Sequence, residues 1–423
     1  MAAAQTFDVV IAGGGLVGAS LAIALQGSGR SVAVIEPVPA QAAQQPSFDD
    51  RHTALAPTSR RFFTHLGLWP AIAPGVEPIT HIHVSDRGHG GFTRLSAEAE
   101  GLPALGHVAP NRVLGSVLRP AMAEAATLFC PARIIDTHAQ YAADGTEASA
   151  ALVGRKVRIA TDEGETTLTT RLLVVADGMQ SATRAALGID THERDYGQSA
   201  IIANVRAERP HEGMAYERFT PEGPLAVLPA VNGTVSVVWP LPTDTAEAVA
   251  HSDSDAAFLA RLQTAFGWRL GRLEAVGGRS LYPLKAVSAE TFAHERAVIL
   301  GNAAHALHPV GGQGLNLALR DVAALVEALE TSADPGDAAT LAAYARARQR
   351  DYRRTFAFTD GLVRLFSNDW TPLAALRNIG LTALDLCPPA RRLLLKQGTG
   401  AAGDLPALCR DEPLPARQQE RSP

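Results

Sequence analysis

The first 36 residues of the chain alternate between apolar runs and a glycine-rich turn. Residues 7–12 form a short apolar run rich in β-branched side chains, and three glycines follow it directly. Residues 16–26 have helical character, and residues 31–35 form a second apolar run that ends at Glu36. A strand, a glycine turn, a helix and a strand in succession predict a βαβ unit, and such units build parallel sheets.

Two later apolar runs end in turns of unusual composition. Residues 172–176 precede an Asp-Gly pair, and residues 297–300 precede a Gly-Asn pair. After the second run, a loop rich in proline and glycine leads to a helix that begins near Gly314. The apolar residues of that helix are spaced four, three, four and three positions apart, which predicts one buried face. They are Leu315, Leu319, Val322, Val326 and Leu329.

The middle of the chain has a different pattern. Residues 190–285 contain short alternating segments, such as residues 234–239, that are separated by proline and glycine. This alternation is typical of an antiparallel sheet with one covered face, and residues 79–95 have a similar pattern. We therefore predict an α/β fold with an added antiparallel sheet.

Composition narrows the class of protein. The chain has 423 residues, of which 46% are hydrophobic and 19% charged, so it can bury large cores and is not globally disordered. Its net charge of −5 argues against a nucleic-acid binder. No run reaches the roughly 18 uncharged apolar residues that a membrane span needs, and no signal for secretion precedes the first strand. We expect a cytoplasmic protein, and the sequence leaves open a peripheral location at the inner membrane.

The three cysteines give little information about function. Cys130, Cys387 and Cys409 are widely spaced and form no C-x-x-C pair. This spacing argues against a disulfide framework or a zinc cluster, so we predict buried or inert thiols and no metal site.

The glycine turn after the first strand carries a recognisable motif. Gly13-x-Gly15-x-x-Gly18 lies between a strand and a helix, and Glu36 follows eighteen residues after the last glycine. The first glycine permits the tight turn, the second lets backbone approach a pyrophosphate, and the third allows close packing of helix on strand. The helix N-terminus attracts the anion, and the Glu36 carboxylate can accept hydrogen bonds from both ribose hydroxyls. This context predicts a dinucleotide site without separating NAD from FAD.

The later loops resemble a known family. Residues 301–316, Gly-Asn-Ala-Ala-His-Ala-Leu-His-Pro-Val-Gly-Gly-Gln-Gly-Leu-Asn, are similar to a block of the flavoprotein aromatic hydroxylases of the para-hydroxybenzoate hydroxylase fold. Val174-Val-Ala-Asp-Gly178 resembles the second signature of that family, and residues 50–55 and 110–114 resemble two further cofactor segments. The resemblance implies FAD as cofactor. The cofactor-binding residues that it and the first motif imply are Gly13, Gly15, Leu16, Val17, Gly18, Glu36, Arg51, Asn111, Asp177, Gly178, Gly301, Asn302, Pro309, Gly312, Gly314, Leu315 and Asn316.

Combined with the strand patterns, the resemblance implies a fold class and a domain organisation. The class is α/β plus antiparallel β, with a Rossmann-like FAD-binding domain of the GR2 type, an inserted substrate domain built on a mixed or antiparallel sheet, and C-terminal helices. The predicted limits are 1–75, 98–188 and 282–335 for the FAD-binding domain, 76–97 and 189–281 for the substrate domain, 336–396 for the helical region and 397–423 for a disordered tail.

The closer resemblance is to the ubiquinone-biosynthesis hydroxylases, in particular the branch that acts on a 2-polyprenyl-6-methoxyphenol. Residues 83–92, 216–226, 266–271 and 377–381 carry it. Position 302 is Asn where the wider family has Asp, and the methoxyphenol branch looks similar in carrying Gly-Asn. The amide oxygen still accepts a hydrogen bond from the ribitol, so we expect FAD binding with a less negative local field.

The resemblance also implies a reaction. NADPH or NADH would reduce FAD, O₂ would add at flavin C4a, and the hydroperoxide would hydroxylate a polyprenylated phenol. His305 and His308 flank the flavin loop and are weak candidates for a base, and Tyr216, Arg218 and Phe219 are candidates for lining the ring pocket. Because the sequence has no evident paired carboxylates or His–acid constellation, our hypothesis is that no single side chain is indispensable.

Two other functions fit the same blocks of sequence. The fold could act at another ring position or on a soluble phenol. Alternatively, the protein could be a non-hydroxylating flavoprotein, such as a polyprenyl reductase or a redox-dependent binding module. The segments that resemble the ubiquinone-biosynthesis branch favour the hydroxylase.

The C-terminal region allows two interpretations. A basic run is followed by apolar residues 362–366, by the largely apolar residues 370–384 and by Arg391 and Arg392. Packing against the FAD-binding domain is the simpler interpretation. The other is a surface for anionic lipid or for partners in a ubiquinone-synthesis complex, and an oligomer is also left open. The basic run consists of Arg346, Arg348, Arg350, Arg353 and Arg354.

Overall fold

A computed structural model describes residues 5–42, 47–142, 151–366 and 371–411 of the protein, with backbone only for residues 371–376. Its strands are β1 (Gln5–Ala12), β2 (Val32–Ile35), β3 (His52–Leu55), β4 (Glu77–Ile79), β5 (His81–Asp86), β6 (Phe92–Ser96), β7 (Gly106–Pro110), β8 (Thr127–Phe129), β9 (Ala132–Tyr141), β10 (Leu152–Thr161), β11 (Gly164–Val175), β12 (Thr191–Ala207), β13 (Met214–Thr220), β14 (Gly223–Pro229), β15 (Thr234–Pro242), β16 (Leu273–Val276), β17 (Ser280–Ala289), β18 (Ala293–His294), β19 (Ala297–Ile299) and β20 (His305–Ala306). Its helices are α1 (Leu16–Ala24), α2 (Pro57–His65), α3 (Trp69–Ile72), α4 (Asn111–Ala125), α5 (Ala182–Ala186), α6 (Thr243–His251), α7 (Asp255–Phe266), α8 (Gln313–Glu330), α9 (Ala338–Phe366), α10 (Thr371–Leu386) and α11 (Pro388–Gly398).

A parallel sheet lies at the centre of the first domain. Its strands run β8–β2–β1–β11–β19, and the antiparallel strand β18 closes one edge. Ala12 is aligned with both Ile35 and Val175, and Val175 is aligned with Ile299. The loops that follow β1, β2, β11 and β19 therefore begin side by side at one edge of the sheet, where α/β folds bind ligands.

Alternate residues of these strands fill two hydrophobic cores. Val9 and Ile11 pack with helices α1, α4 and α8 on one face, whereas Val10 and Ile35 pack on the other face with Phe292 and part of α9. Burial on both faces explains why these strands are continuous apolar runs in the sequence. The predicted α/β architecture is confirmed.

A second, larger sheet has the order β20–β17–β12–β15–β14–β13–β5–β6, with β16 beside β12. Its pairs are antiparallel except for β13 and β5, which run parallel. One face packs against α6 and α7 around Trp239, Phe258 and Phe266. Strands β5 and β6 belong to this sheet, as the alternation in residues 79–95 predicted, and a small sheet of β3, β7 and β4 lies beside it.

Two predicted boundaries are wrong. The limit at 281/282 cuts through β17, which pairs with β12 from Ile202↔Ser280 to Thr191↔Ala289 and so belongs to the second sheet. The tail predicted to be disordered is folded as far as Asp411, because Cys409 is fully buried in the first core and Arg61 forms an ion pair with Asp411. Residues 412–423 lie outside the described residues.

The C-terminal helices pack on both domains. Along α9, Tyr344, Arg348 and Tyr352 are buried against the first domain, whereas Arg346, Arg350 and Arg353 are exposed. Packing therefore accounts for only part of the basic run. Trp370 lies outside the described residues.

The cysteines are unpaired, and only part of the prediction for them holds. Cys409 is enclosed, and burial raises the pKa of its thiol to about 12, whereas Cys387 is exposed. Among the described helices, none combines the length and apolar character that crossing a bilayer requires.

Candidate active site

One cavity of about 1640 Å³ is lined by the loops at the edge of the parallel sheet and by the open face of the second sheet. This volume exceeds the roughly 300–1,000 Å³ of a typical single-ligand pocket, so a cofactor and a substrate fit in it together. All of the cofactor residues predicted from the sequence line this cavity, except Gly18 and Gly301. The structure thus brings together loops that lie up to 300 residues apart along the chain.

The first glycine turn leaves no room for side chains. Gly13 has a φ of +96°, and a Cβ there would come within 2.6 Å of the Ala176 carbonyl oxygen. A Cβ at Gly18 would come within 1.9 Å of the Gly13 carbonyl oxygen, so this glycine serves helix–strand packing behind the cavity. Gly301 has a φ of +60°, and a Cβ there would lie 3.2 Å from the Val17 side chain.

Glu36 ties the turn to the second strand. Its carboxylate accepts hydrogen bonds from the backbone N–H of Gly14 at 2.6 Å and of Val38 at 2.8 Å. The side chain also lines the cavity, at the end of β2 where the sequence motif predicted the ribose acceptor.

Two helix N-termini meet at the cavity without side-chain caps. Helix α1 follows Gly15 and helix α8 follows Gly312, and neither glycine can supply a capping oxygen. Gly312 itself has a φ of +62°, which suits glycine. Uncapped amide N–H groups and the helix dipole favour negative charge. The two positions fit the pyrophosphate of FAD and the anionic side of a reduced flavin ring.

Two predicted cofactor residues, Arg51 and Asn111, are held by the polar groups around them. Arg51 donates a hydrogen bond to Asp49 at 2.6 Å, and its guanidinium lies 4.8 Å from the ring centroid of Tyr282. Asn111, at the start of α4, accepts a hydrogen bond from the Thr53 hydroxyl at 2.8 Å. These contacts orient both side chains at the cavity wall.

Asp177 has a local role as well. Its carboxylate accepts hydrogen bonds from the Ser181 hydroxyl and from the Thr183 backbone N–H at the start of α5. It therefore holds the Asp-Gly turn onto a short helix while it faces the cavity.

Asn316 lines the cavity, but its side chain is fully occupied by the protein. The amide group donates to the carbonyls of Ala54 and Gly312, and the amide oxygen accepts from the Ala56 backbone N–H and the Ser59 hydroxyl, all at 2.7–2.8 Å. This accounts for both of its donors and both of its acceptor positions. Asn316 thus positions the strand β3 against the flavin loop rather than offering its side chain to a ligand.

The two histidines proposed as bases do not line the cavity, so the geometry contradicts both candidates. His308 is buried, accepts a hydrogen bond from the Val310 backbone N–H, and contacts the Tyr196 ring. Burial lowers the pKa of His308 to about 4. His305 is 1% exposed and stacks on Tyr352, on the side of the loop that faces the protein interior.

The partner of His305 is a carboxylate that the sequence analysis missed. Asp321 on α8 accepts a hydrogen bond from His305 Nε2 at 2.6 Å, from the Gly301 backbone N–H at 3.2 Å and from Arg348 at 2.6 Å. Arg348 also pairs with Asp351, which in turn pairs with Arg320. Burial alone raises the pKa of Asp321, but the attraction of His305 and Arg348 outweighs it and keeps the pKa below its ordinary value.

The substrate candidates on β13 divide between the two faces of the sheet. Phe219 faces the cavity. Tyr216 borders it, but its ring contacts His83 and Phe266 on the other side. Arg218 also points away, because its guanidinium donates to the Ala265 carbonyl at 3.0 Å. Glu217, between Tyr216 and Arg218, faces the cavity. The sequence analysis did not select it.

The segment 377–381 holds α10 against the second sheet. Arg377 is buried and pairs with Asp86 at 3.2 Å. The Asn378 side chain accepts from the Gly91 backbone N–H at 2.6 Å, and the Leu381 carbonyl accepts from the Thr93 hydroxyl at 2.6 Å. Since Arg377 and Leu381 also line the cavity, these bonds attach its outer wall to the substrate domain.

Comparison with known proteins agrees with this geometry. The model of a family described as FAD binding domain matches residues 6–359. The chain belongs to this FAD-binding family. FAD is therefore the cofactor of the protein, as the sequence predicted, and the glycine cradle, Glu36 and the two helix N-termini are the groups that fit it.

The relatives of this FAD-binding protein agree with the finer resemblance. Ubiquinone hydroxylase UbiL of Rhodospirillum rubrum is 37% identical, over 96% of this chain and 93% of the relative. The 3-demethoxyubiquinol 3-hydroxylase of Escherichia coli is 30% identical, over 94% and 99%. Among solved structures, p-nitrophenol 4-monooxygenase PnpA of Pseudomonas putida has a TM-score of 0.75 at 18% identity, over 93% and 99%, which shows the shared fold. The resemblance to ubiquinone-biosynthesis hydroxylases is confirmed.

Replacing Glu36 with alanine should weaken FAD retention. The variant loses the acceptor for ribose hydroxyls and the bonds to Gly14 and Val38, and a hydrogen bond to a charged group contributes about 1.5–3 kcal/mol. We expect FAD affinity to fall at least tenfold, measured by fluorescence of released flavin during dialysis. The FAD affinity of Glu36→Gln, which keeps one acceptor oxygen, should lie between those of wild type and Glu36→Ala. Equal affinity of all three proteins would show that Glu36 is not the ribose acceptor.

Replacing Asp321 with asparagine should destabilise the protein by about 3 kcal/mol, because it leaves a buried arginine short of a carboxylate partner. Urea unfolding of the FAD-free protein measures this. Asp334→Asn removes a half-exposed partner of Arg296 and should change stability by less than about 1 kcal/mol.

The effect of Asp321 should depend on pH in one direction. Since the folded-state pKa is depressed, the stabilisation is present above the unfolded pKa and is lost as the pH falls through the folded one. The difference between wild type and Asp321→Asn should therefore shrink below about pH 4. A constant difference down to low pH would contradict an ionised Asp321.

Proposed function

We propose that the protein is an FAD-dependent monooxygenase that hydroxylates a polyprenylated phenol or methoxyphenol in ubiquinone biosynthesis, with NADPH or NADH and O₂ as co-substrates. The observation that carries this proposal is a single cavity that joins the FAD loops to a largely apolar sheet face. The names of the relatives, two ubiquinone hydroxylases and a ubiquinone biosynthesis monooxygenase, support the substrate class.

The cavity changes character along its length. Near the FAD loops it is lined by glycine backbone, Glu36, Arg51 and Asp177. The other part is lined by aliphatic and aromatic side chains from the second sheet and from α9, α10 and α11, including Val84, Phe219, Leu228, Val238, Phe366, Leu384 and Leu395. An aromatic ring with a prenyl tail matches such an apolar lining, since each buried methylene contributes about 0.8 kcal/mol.

The residues of the chain divide the work. The chemistry that bound FAD would supply is reduction by the nicotinamide and activation of O₂ for transfer of one oxygen atom to the ring. The N-terminus of α8 can stabilise negative charge on the reduced cofactor, and Asn316 keeps that helix in register with β3. The second sheet and α10 enclose the ring and exclude water, which protects the oxygen transfer.

The outer surfaces of α10 and α11 suggest where the prenyl tail of the substrate enters from a membrane. Ile379, Leu386 and Leu393 are 67%, 77% and 69% exposed, on helices whose inner residues line the cavity. Arg391 and Arg392 both pair with Glu100, so apolar contact rather than basic charge would dominate the attachment. We propose that this surface, the exposed apolar residues of α10 and α11, contacts lipid.

Oxygen labelling tests the reaction. With the FAD-loaded protein, a short-tailed 2-prenyl-6-methoxyphenol should stimulate NADPH oxidation, and its product should contain one ¹⁸O atom from ¹⁸O₂. Because the apolar lining favours the tail, the tail-free phenol should have a KM at least tenfold higher. NADPH oxidation without label in the product would support a reductase, and equal KM values would support a soluble phenol as substrate.

Flotation with liposomes tests the lipid surface. The FAD-loaded protein should float with liposomes of mixed neutral and anionic lipid, and the Leu386→Glu/Leu393→Glu variant should lose at least nine-tenths of this binding, because charge is costly in the acyl region. Trp268→Glu, which changes a residue of the substrate domain that is 66% exposed, should float like wild type. Failure of the wild type to float would contradict the proposal.

A further inference from the structure

Glu217 is a carboxyl group on the largely apolar wall of the cavity that the second sheet forms. It lies in the middle of β13, on the sheet face opposite to Tyr216 and Arg218. The register places it in a row across the second sheet, aligned with Val84 on β5 and Ala226 on β14. The row continues through Val238 on β15 to Ile202 on β12, and all five residues line the cavity.

Within the described part of the chain, this carboxyl group has no hydrogen-bond or ion-pair partner. Its Oε1 atom is enclosed without a partner. Arg377, which also lines the cavity, is paired with Asp86 at 3.2 Å. Burial, with no compensating cation, raises the pKa of Glu217 to about 7. A carboxyl group with an enclosed oxygen that has no partner destabilises a fold, and a polar group of a ligand can offset that cost.

We propose that Glu217 recognises the ring hydroxyl of the phenol substrate, accepting its hydrogen bond and then its proton. This inference rests on the proposed function and adds to it a single polar contact that orients the ring. In the proton transfer the phenolic O–H bond breaks, the proton moves to the carboxylate, and the electron pair stays on the ring oxygen. The resulting phenolate is more electron-rich at the ring carbons that receive oxygen.

The environment of Glu217 suits this exchange. An ordinary carboxylate is a poor base for a phenol because their pKa values lie about six units apart, and the shift of Glu217 roughly halves that gap. The rest of the row is aliphatic, so the carboxylate is the one group there that a hydroxyl can seek. This role departs from the hypothesis that no single side chain is indispensable, and variants of Glu217 test that hypothesis directly.

Binding of two matched probes tests the recognition. The probes are a short-tailed 2-prenyl-6-methoxyphenol and its methyl ether, titrated into the FAD-loaded protein by flavin fluorescence. Glu217→Leu should bind the phenol about tenfold to a hundredfold more weakly than wild type and bind the ether at least as well. Glu217→Gln should keep phenol affinity within a few-fold but lower kcat at least tenfold, because an amide accepts a hydrogen bond but not a proton.

Two controls separate this role from a structural one. Glu222→Gln, on the exposed turn that follows β13, should behave like wild type. Both Glu217 variants should retain FAD and melt at the wild-type temperature or above, because they remove a carboxyl group that has no partner and whose Oε1 is enclosed.

The outcomes distinguish the two proposals. Unchanged phenol affinity in Glu217→Leu, or equal losses for the phenol and the ether, would overturn the role of Glu217. A wild type that binds the phenol through Glu217 but forms no labelled product would instead overturn the proposed hydroxylation and leave the recognition standing.

Discussion

The buried carboxylate of Asp321 is the constraint on which the flavin end of the molecule depends. A carboxylate taken out of water is stable only if its oxygens are all satisfied. Here they bind the Gly301 backbone N–H, His305 and Arg348, which belong to the end of β19, the flavin loop and α9. One side chain on α8 therefore sets the position of the loop relative to the helix N-terminus that faces the cofactor.

A second constraint acts at the first turn of α8, where Asn316 lies. Asn316 uses its whole amide to join α8 to β3 and α2, so the loop is held between two networks that offer no side chain to solvent. Such satisfied buried networks specify one arrangement more strongly than apolar packing does. This rigidity leaves backbone amides, rather than mobile side chains, to meet the anionic cofactor.

The parts of the site that follow local rules could be predicted from the sequence. The turn at Gly13, the helix contact at Gly18 and the acid at Glu36 depend on residues close together in the chain, and the structure places all three as expected. The prediction that His305 or His308 acts as a base failed because it used only their neighbours in the sequence, which are flavin-loop residues. Their neighbours in space are Tyr352, Asp321 and Tyr196. Strand alternation would have identified Glu217 as sharing a face with Phe219. Alternation could not say which of the two faces borders the cavity. That depends on which face α6 and α7 cover, and their packing is a tertiary contact.

By itself, the sequence determined the parallel sheet, the FAD loops and the family, since glycine conformation and hydrophobic periodicity act over a few residues. Only the tertiary structure decided the rest. In the tertiary structure, residues 397–411 pack on the first core and β17 belongs to the second sheet. The structure also brings Glu217 and the FAD loops into one cavity. These features arise from contacts between distant segments, where burial and the need to satisfy polar groups select one approach among many that the local pattern allows.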